Sequence, residues 1–599
     1  MHGAELVLVW ILIAVFAVVV ATITAAVHLG ARLDHDHEQI PANPLALILK
    51  LVDGTLAWPS SATTVLIAIA ALLLTLAVTA GLIAGRRRRR GSRVDRAAGR
   101  MGRGRDIAPL ARKNAVATAK RLGVDSPGLE IARTVAGGAR LYQGWEDVAV
   151  DIWGPRAGKT TSRAIPAILE SPGAVLATSN KRDLVDATRD PRSEVGEVWV
   201  FDPQGIVNEP PTWWWNPLTY VTDEVKAEIL ADVFATASRD PGARTDAYFE
   251  PAGQQLLAQL LLAAALAERP ITQVYLWLAD PTDDEPVGVL QRHDFPLLAA
   301  ALQAVVNAPE KQRGGVYGTA QQICSFLTNR QAMQWVTPDG APVPAPARPR
   351  NPWLTSNGQA RRRELDPHEF VQTSATMYSL SKEGRGSAGP LVTALTVAIT
   401  EAAEDLAKRS PGGRLPVPMV AVLDEAANVC RWRELPNLYS HYGSRGIVLL
   451  TILQSWSQGV EVWGRDGMRK LWSAANVKVY GGGVSEVEFL GELSQLIGDF
   501  DLTTTSVSHG RGGRSSNVAT RRERILDVAD LTALPRGRVV VFASGARAAL
   551  ARSIPWMAGP HADAVRASIR AHDPVAEATI ASAAEALADV DEADTGLEG

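Results

Sequence analysis

The stretch Trp153-Gly154-Pro155-Arg156-Ala157-Gly158-Lys159-Thr160-Thr161 constrains this chain more than any other. An apolar, strand-like run (148–152) precedes it and a helix-like run (162–169) follows it. Strand, glycine-rich turn and helix in that order make a phosphate-binding loop of the G-x-x-x-x-G-K-[ST] type. Here Trp153 stands at the place of the first glycine, with a glycine one position later. In such a loop the backbone N–H groups point at the phosphates, Lys159 adds a mobile positive charge, and Thr160 offers its hydroxyl to Mg²⁺. The helix that follows turns its positive dipole end toward the anion. Gly154, Pro155, Arg156, Ala157, Gly158, Lys159, Thr160 and Thr161 are therefore the expected cradle for ATP and Mg²⁺. The competing reading is a glycine-rich turn with a stray lysine. Trp153→Gly is expected to leave ATP binding intact or to improve it.

The net charge of the 599 residues is only −3, so its distribution carries more than its sum. Residues 6–29 and 60–85 contain no Asp, Glu, Lys or Arg, and each run exceeds the ~20 residues that cross a bilayer. The second run ends in five consecutive arginines, Arg86 to Arg90, which the positive-inside rule puts in the cytoplasm. This predicts a two-helix transmembrane hairpin over 1–85, a multi-pass protein of the cell membrane with its bulk in the cytoplasm. The short external loop holds His35, Asp36 and His37, read as solvated rather than metal-binding. A basic juxtamembrane linker is expected over 86–140. Two cysteines, Cys324 and Cys430, cannot build a disulfide framework and suit a reducing compartment.

Beyond the linker the texture is α/β. Strand-like runs at 148–152, 174–177, 198–201, 417–423, 447–452, 477–480 and 539–542 alternate with helical stretches, which argues for a mostly parallel sheet covered on both faces. Helical periodicity dominates 222–408, read as an all-α domain inserted between the halves of a nucleotide-binding domain (141–221 and 409–565). A proline-rich loop lies at 338–352. The last segment, 566–599, is expected to be an acidic flexible tail, serving either solubility or docking.

The run 420–423 ends in Asp424 and Glu425, the carboxylates a phosphate-binding loop requires at the sheet edge. Asp424 is the expected Mg²⁺ partner through water, together with Thr160, and Glu425 the general base for the attacking water. Gln454, at the end of the next core strand, is placed to touch the γ-phosphate or position water. Arg445, before that strand, is read either as an arginine finger acting on a neighbour's ATP or as a surface arginine. The stretch 506–524, with Arg511, Arg514, Arg521, Arg522 and Arg524, reads as a mobile basic loop, either contacting nucleic-acid phosphates or simply solvated. Trp213, Trp214 and Trp215 read as packing at a domain edge rather than a stacking platform.

With these motifs on the page, the chain resembles the type IV coupling proteins, the TraG/TraD group of conjugative DNA-transfer ATPases. The loop Gly154 to Thr160 is similar to the family's Pro-x-Arg-Ser-Gly-Lys variant, with Ala157 at its serine. Thr178 to Leu184, Phe201 to Gly205, Asn216 to Leu218, Ser444 to Gly446, Leu453 to Ser455 and Leu534 to Gly537 match its motifs in order. The resemblance implies a RecA-like P-loop NTPase, typically a homo-hexamer, whose inserted helical domain helps recognise cargo. It implies DNA, single-stranded and carried with a relaxase, as cargo, and type IV secretion channel components as partners. ATP hydrolysis would then drive transfer. The alternatives are an FtsK-type double-stranded DNA translocase and a nucleotide-gated membrane receptor for protein cargo without motor activity. A type VII secretion ATPase would show several P-loop domains in a longer chain.

Overall fold

The computed structural model describes residues 2–34, 40–90, 92–239, 246–338, 362–382, 384, 387–510, 513–585 and 588. They fall into two compact units, one up to Gly91 and one from Ser92.

In the first unit the apolar runs form the helices His2–Leu33 and Ala62–Arg90. They pack closely enough that a Cβ on Gly30 would lie 2.6 Å from the Ala62 backbone. The Asp34 carboxylate accepts the Ser61 N–H at 2.9 Å. Between them lies a third helix, Pro44–Val52, capped by Asn43, whose Leu47 packs with Val27 and Leu56. Among the described residues one stretch, Phe16–Leu33, is long and apolar enough to cross a membrane; the apolar part of the other helix, Ala62–Leu76, is shorter. His35, Asp36 and His37, and the side chains of Arg86 to Arg90, lie outside the described residues.

The second unit is built on an eleven-stranded sheet. Its strands are β1 (Leu129–Thr134), β2 (Arg140–Gln143), β3 (Ala149–Ile152), β4 (Val175–Ser179), β5 (Val198–Phe201), β8 (Thr376–Leu380), β9 (Met419–Leu423), β10 (Ile447–Leu453), β11 (Val477–Tyr480), β14 (Arg538–Ala543) and β15 (Ala549–Arg552). Two further pairs stand apart from it: β6 (Trp213–Trp214) with β7 (Arg363–Glu364), and β12 (Asp499–Gly510) with β13 (Gly513–Arg524). The order in the large sheet is β2-β1-β15-β14-β11-β3-β10-β9-β4-β8-β5. From β11 to β5 all neighbours run parallel, and from β14 to β2 all run antiparallel. Strands β3, β9 and β10 are buried at every position, as expected for a sheet covered on both faces.

Several expectations need correction. The segment 222–408 is not helical throughout. Its helices run from Glu224–Ser238 to Arg330–Met333, but β8 then enters the sheet between β4 and β5. Helix Gly389–Arg409, buried along most of its length, packs beside that sheet. The five-residue β8 was hidden because periodicity cannot separate a short buried strand from helix. Residues 339–352 of the proline-rich loop are outside the described residues.

The expected linker 86–140 is, from Ser92 on, part of the core. Val94, Ala97 and Met101 are buried, and Asp95 forms a buried ion pair with Arg538 at 2.7 Å. Strands β1 and β2 then close the antiparallel edge. The density of arginine concealed an apolar helix face.

The expected mobile loop 506–524 falls in a long hairpin, taking in the end of β12 and all of β13, strands of twelve residues each. Alternating Thr, Ser and Val favour strand there. Arg522 and Arg524 both meet Asp499 at its base, at 3.2 and 2.9 Å. Arg521 lies 3.8 Å from Glu523. Arg511 and the Arg514 side chain are outside the described residues.

The tail from 566 begins as structure. Helix Ala562–His572 lies against helix Asp183–Ser193, with Ser568 donating to the Asp186 carbonyl at 2.6 Å and His572 meeting Asp190 at 2.7 Å. Residues 589–599 are not described. Trp213, Trp214 and Trp215 are buried, and Trp213 stacks edge-on to Trp199 and Trp335 with centroids 5.2 and 5.5 Å apart.

Candidate functional site

The register of the parallel strands brings the sequence motifs to one edge. Ile152 pairs with Leu453 on one side and Tyr480 on the other. One strand further, Leu423 pairs with Thr451 and Thr178. The residues just past these strand ends therefore share the carboxyl edge of the sheet, where open α/β folds place their ligands. They are Trp153 to Thr161, Gln454, Gly481 to Gly483, and Asp424 with Glu425.

The loop is shaped by close backbone approach. Trp153 donates its N–H to the Leu453 carbonyl at 2.9 Å, and Gly154 donates to the Gly482 carbonyl at 2.8 Å. A Cβ at Gly154 would lie 2.0 Å from the Gly483 oxygen, so this position requires glycine. Arg156 and Gly158 take positive φ, 59° and 94°, which turns the chain around the space where phosphates would sit. Arg156 is exposed. The loop then enters a short π-helical turn, Thr160–Ala164, and helix Ile165–Leu169.

Lys159 bridges both carboxylates, at 2.8 Å to Asp424 and in close contact with Glu425. Gln454 donates its side-chain amide to Glu425 at 2.5 Å, and Asn428 donates to the other oxygen at 3.2 Å. Glu425 is buried and held at φ 54°. A non-glycine residue in that region is strained, a cost that tends to persist at functional positions. Burial pulls the Lys159 pKa down, but Asp424 and Glu425 more than offset it, so the ammonium titrates above its ordinary value. Burial pushes the Asp424 carboxyl up to about 6, with Lys159 opposing.

The sign for activity follows. A carboxyl raised in this way takes up its proton as pH falls through about 6, and the charge that would hold Mg²⁺ is then lost. Its contribution to stability runs the other way, present at low pH and lost as pH rises through that value. ATP turnover is expected to fall below about pH 6 while the protein stays folded. A rate flat from about pH 7.5 to 5.5 would contradict this.

Arg445 is not brought to this edge. It is the last residue of the helix before β10, at the strand's opposite end, donating to the Gly413 carbonyl at 2.8 Å and, at 3.4 Å, to His441. A seven-residue strand separates it from Gln454, roughly 23 Å.

Under the loop lies a polar network that sequence reasoning missed. Arg163 is 1% exposed; its guanidinium meets Asp151 at 2.8 Å and donates to Gln143 at 2.7 Å. Gln143 donates on to the Leu449 carbonyl at 3.2 Å. This ties the loop's helix to β3 and β10. The available signal was Asp151, a charge inside an otherwise apolar strand. Trp153 belongs to the same layer. Its ring is 2% exposed and presses on Gly481, where a Cβ would lie 2.1 Å away. The expectation that Trp153→Gly leaves ATP binding intact weighed the loop alone; the buried ring also packs on Gly481, just past β11, so the substitution removes core packing as well.

Residues 107–339 match the family described as "Type IV secretory system Conjugative DNA transfer", and 418–536 the family described as "TraM recognition site of TraD and TraG". No curated protein sequence matches the chain. Among solved structures, the unbound bacterial conjugative coupling protein TrwBdeltaN70 is similar, at 15% identity over 72% of this chain and 89% of that one, with a TM-score of 0.52. Plasmid coupling protein TrwB in complex with ADP and Mg²⁺ is similar at 16% identity over 73% of this chain and 92% of that one, with a TM-score of 0.50. At such identities the likeness speaks for the fold.

Proposed function

This chain belongs to the type IV coupling proteins, and from that premise we propose that it is a membrane-anchored ATPase that couples relaxase-bound DNA to a type IV secretion channel and drives transfer by ATP hydrolysis. The observation that carries the reading is the meeting of Lys159, Asp424, Glu425 and Gln454 at one sheet edge beside a glycine-shaped loop. A lysine held by two carboxylates is poised to exchange them for phosphate oxygens.

The residues present fit Mg²⁺ and nucleotide. Gly154 lets the loop backbone lie against Gly483, an approach any side chain would block, and so holds the turn that would receive the phosphates. The Thr160 hydroxyl has no hydrogen-bond partner among the described residues, and with Asp424 it offers the hard oxygen ligands Mg²⁺ prefers. Mg²⁺ would neutralise the charge developing on the phosphates. Of the chain's own groups, Gly154 to Thr161 bind and orient the phosphates, Lys159 neutralises them, and Glu425 takes the proton of the attacking water. Gln454, bonded to Glu425, orients that water and carries the state of the site into helix Trp456–Ala474.

Arg445 lies far from its own subunit's loop, which suits a residue serving a neighbour's site in a ring, and a homo-hexamer is the assembly proposed. Two membrane spans, Phe16–Leu33 and the helix from Ala62, with both ends of the pair in the cytoplasm, remain the proposed anchor. The carrying experiment is DNA transfer from cells in which only Lys159→Ala or Glu425→Gln protein is made. Transfer is expected to fall to background in both, with the protein still present in the membrane. Wild-type transfer by Glu425→Gln would favour the nucleotide-gated receptor instead.

A further inference from the structure

A cavity of about 790 Å³ opens at the antiparallel side of the sheet, between β1, β2 and the segment 554–561. Helix Ile165–Leu169 and Glu170 supply one wall. The helical run that starts at Thr160 by the phosphate edge thus ends in this cavity, about 15 Å away at 1.5 Å per residue. It is a separate place from the nucleotide cradle, and its volume is in the range of small-ligand sites.

The lining combines an apolar floor with a surplus of positive charge. Tyr142, Leu169 and Trp556 give flat or apolar surface. Against them stand three guanidiniums, Arg112, Arg133 and Arg140, and two carboxylates, Glu130 and Glu170. Glu130 is already committed, with Arg133 and Arg140 each 3.4 Å from the same oxygen. Glu170 accepts the Glu130 backbone N–H at 2.9 Å. Burial raises the Glu170 carboxyl to about 7, so near neutrality it carries only part of its charge. Arg112 has no ion-pair partner among the described residues. The Ser126 hydroxyl oxygen is buried in the same lining with no hydrogen-bond partner.

We propose that this cavity binds a small organic phosphate, its anionic end received by Arg112 at the cluster of guanidiniums and its flat or apolar body lying against Tyr142, Leu169 and Trp556. Guanidinium is the side chain best matched to phosphate oxygens, and the apolar floor selects against inorganic phosphate. This site does not depend on the motor reading.

The test is calorimetric titration of the full chain in nanodiscs with 1-naphthyl phosphate, with AMP and inorganic phosphate alongside. Binding of 1-naphthyl phosphate is expected to weaken at least about tenfold in Arg112→Glu, whose exposed position spares the fold, and in Leu169→Trp, which fills the floor. It is expected to persist in Lys159→Ala. Competition by AMP would identify a nucleotide as the natural class, and binding without such competition a phosphate with another body. No binding at millimolar concentration, or binding lost in Lys159→Ala and kept in Arg112→Glu, would overturn the proposal.

Discussion

Replacing Glu425 with glutamine is expected to lower ATP turnover at least about 100-fold while leaving ATP affinity nearly unchanged. The amide keeps the side chain's size and its oxygen acceptor for Gln454, so the loop and Lys159 stay in place. What is lost is the group that takes the proton. Of the two carboxylates at this edge, Glu425 is the one reached by more side chains: Lys159, Gln454 and Asn428 all meet it, and its backbone is held at φ 54°. Strain and three partners together fix a carboxylate at one spot, as a base must be fixed to act on one water. Turnover with equilibrium binding of a fluorescent ATP analogue separates the two effects. Unchanged turnover would assign the base elsewhere, and lost binding would make Glu425 part of the cradle.

Trp153→Gly is expected to destabilise the second unit by about 3–5 kcal/mol, the usual cost of removing a large buried aromatic side chain. The ring is 2% exposed, and its loss would leave Gly481 facing a void under the loop. ATP affinity should fall as well, because Gly154 is held to Gly482 by the backbone beside that ring. Urea unfolding followed by tryptophan fluorescence, compared with Trp153→Phe, gives the size; the phenylalanine variant should recover much of the loss. A glycine variant within about 1 kcal/mol of wild type would show that the ring contributes little.

What was legible in the sequence was what local chemistry dictates. The loop, its preceding strand, the Asp424-Glu425 strand end and Gln454 could all be read, because glycine, lysine and paired carboxylates at strand ends have few other uses. The strands β5 and β11 have the bounds their apolar runs suggested. What escaped was tertiary. β8 is five residues long, and nothing in its own letters says that it slots between β4 and β5. The helix at Arg93–Ala97 was masked by its arginines, since the pairing of Asp95 with Arg538 spans more than four hundred positions. Arg163 and Gln143 join the site only through folding, for neither stands in a motif. Trp153 looked like an irregular letter of the loop because its role lies on Gly481, far along the chain.

The most direct test of the account is ATP hydrolysis by the full chain in nanodiscs, measured without DNA, with single-stranded DNA and with double-stranded DNA, beside Lys159→Ala. The account predicts hydrolysis by the wild type that DNA stimulates, and none by Lys159→Ala under any condition. Hydrolysis that survives in Lys159→Ala, or its absence from the wild type with every DNA, would contradict it.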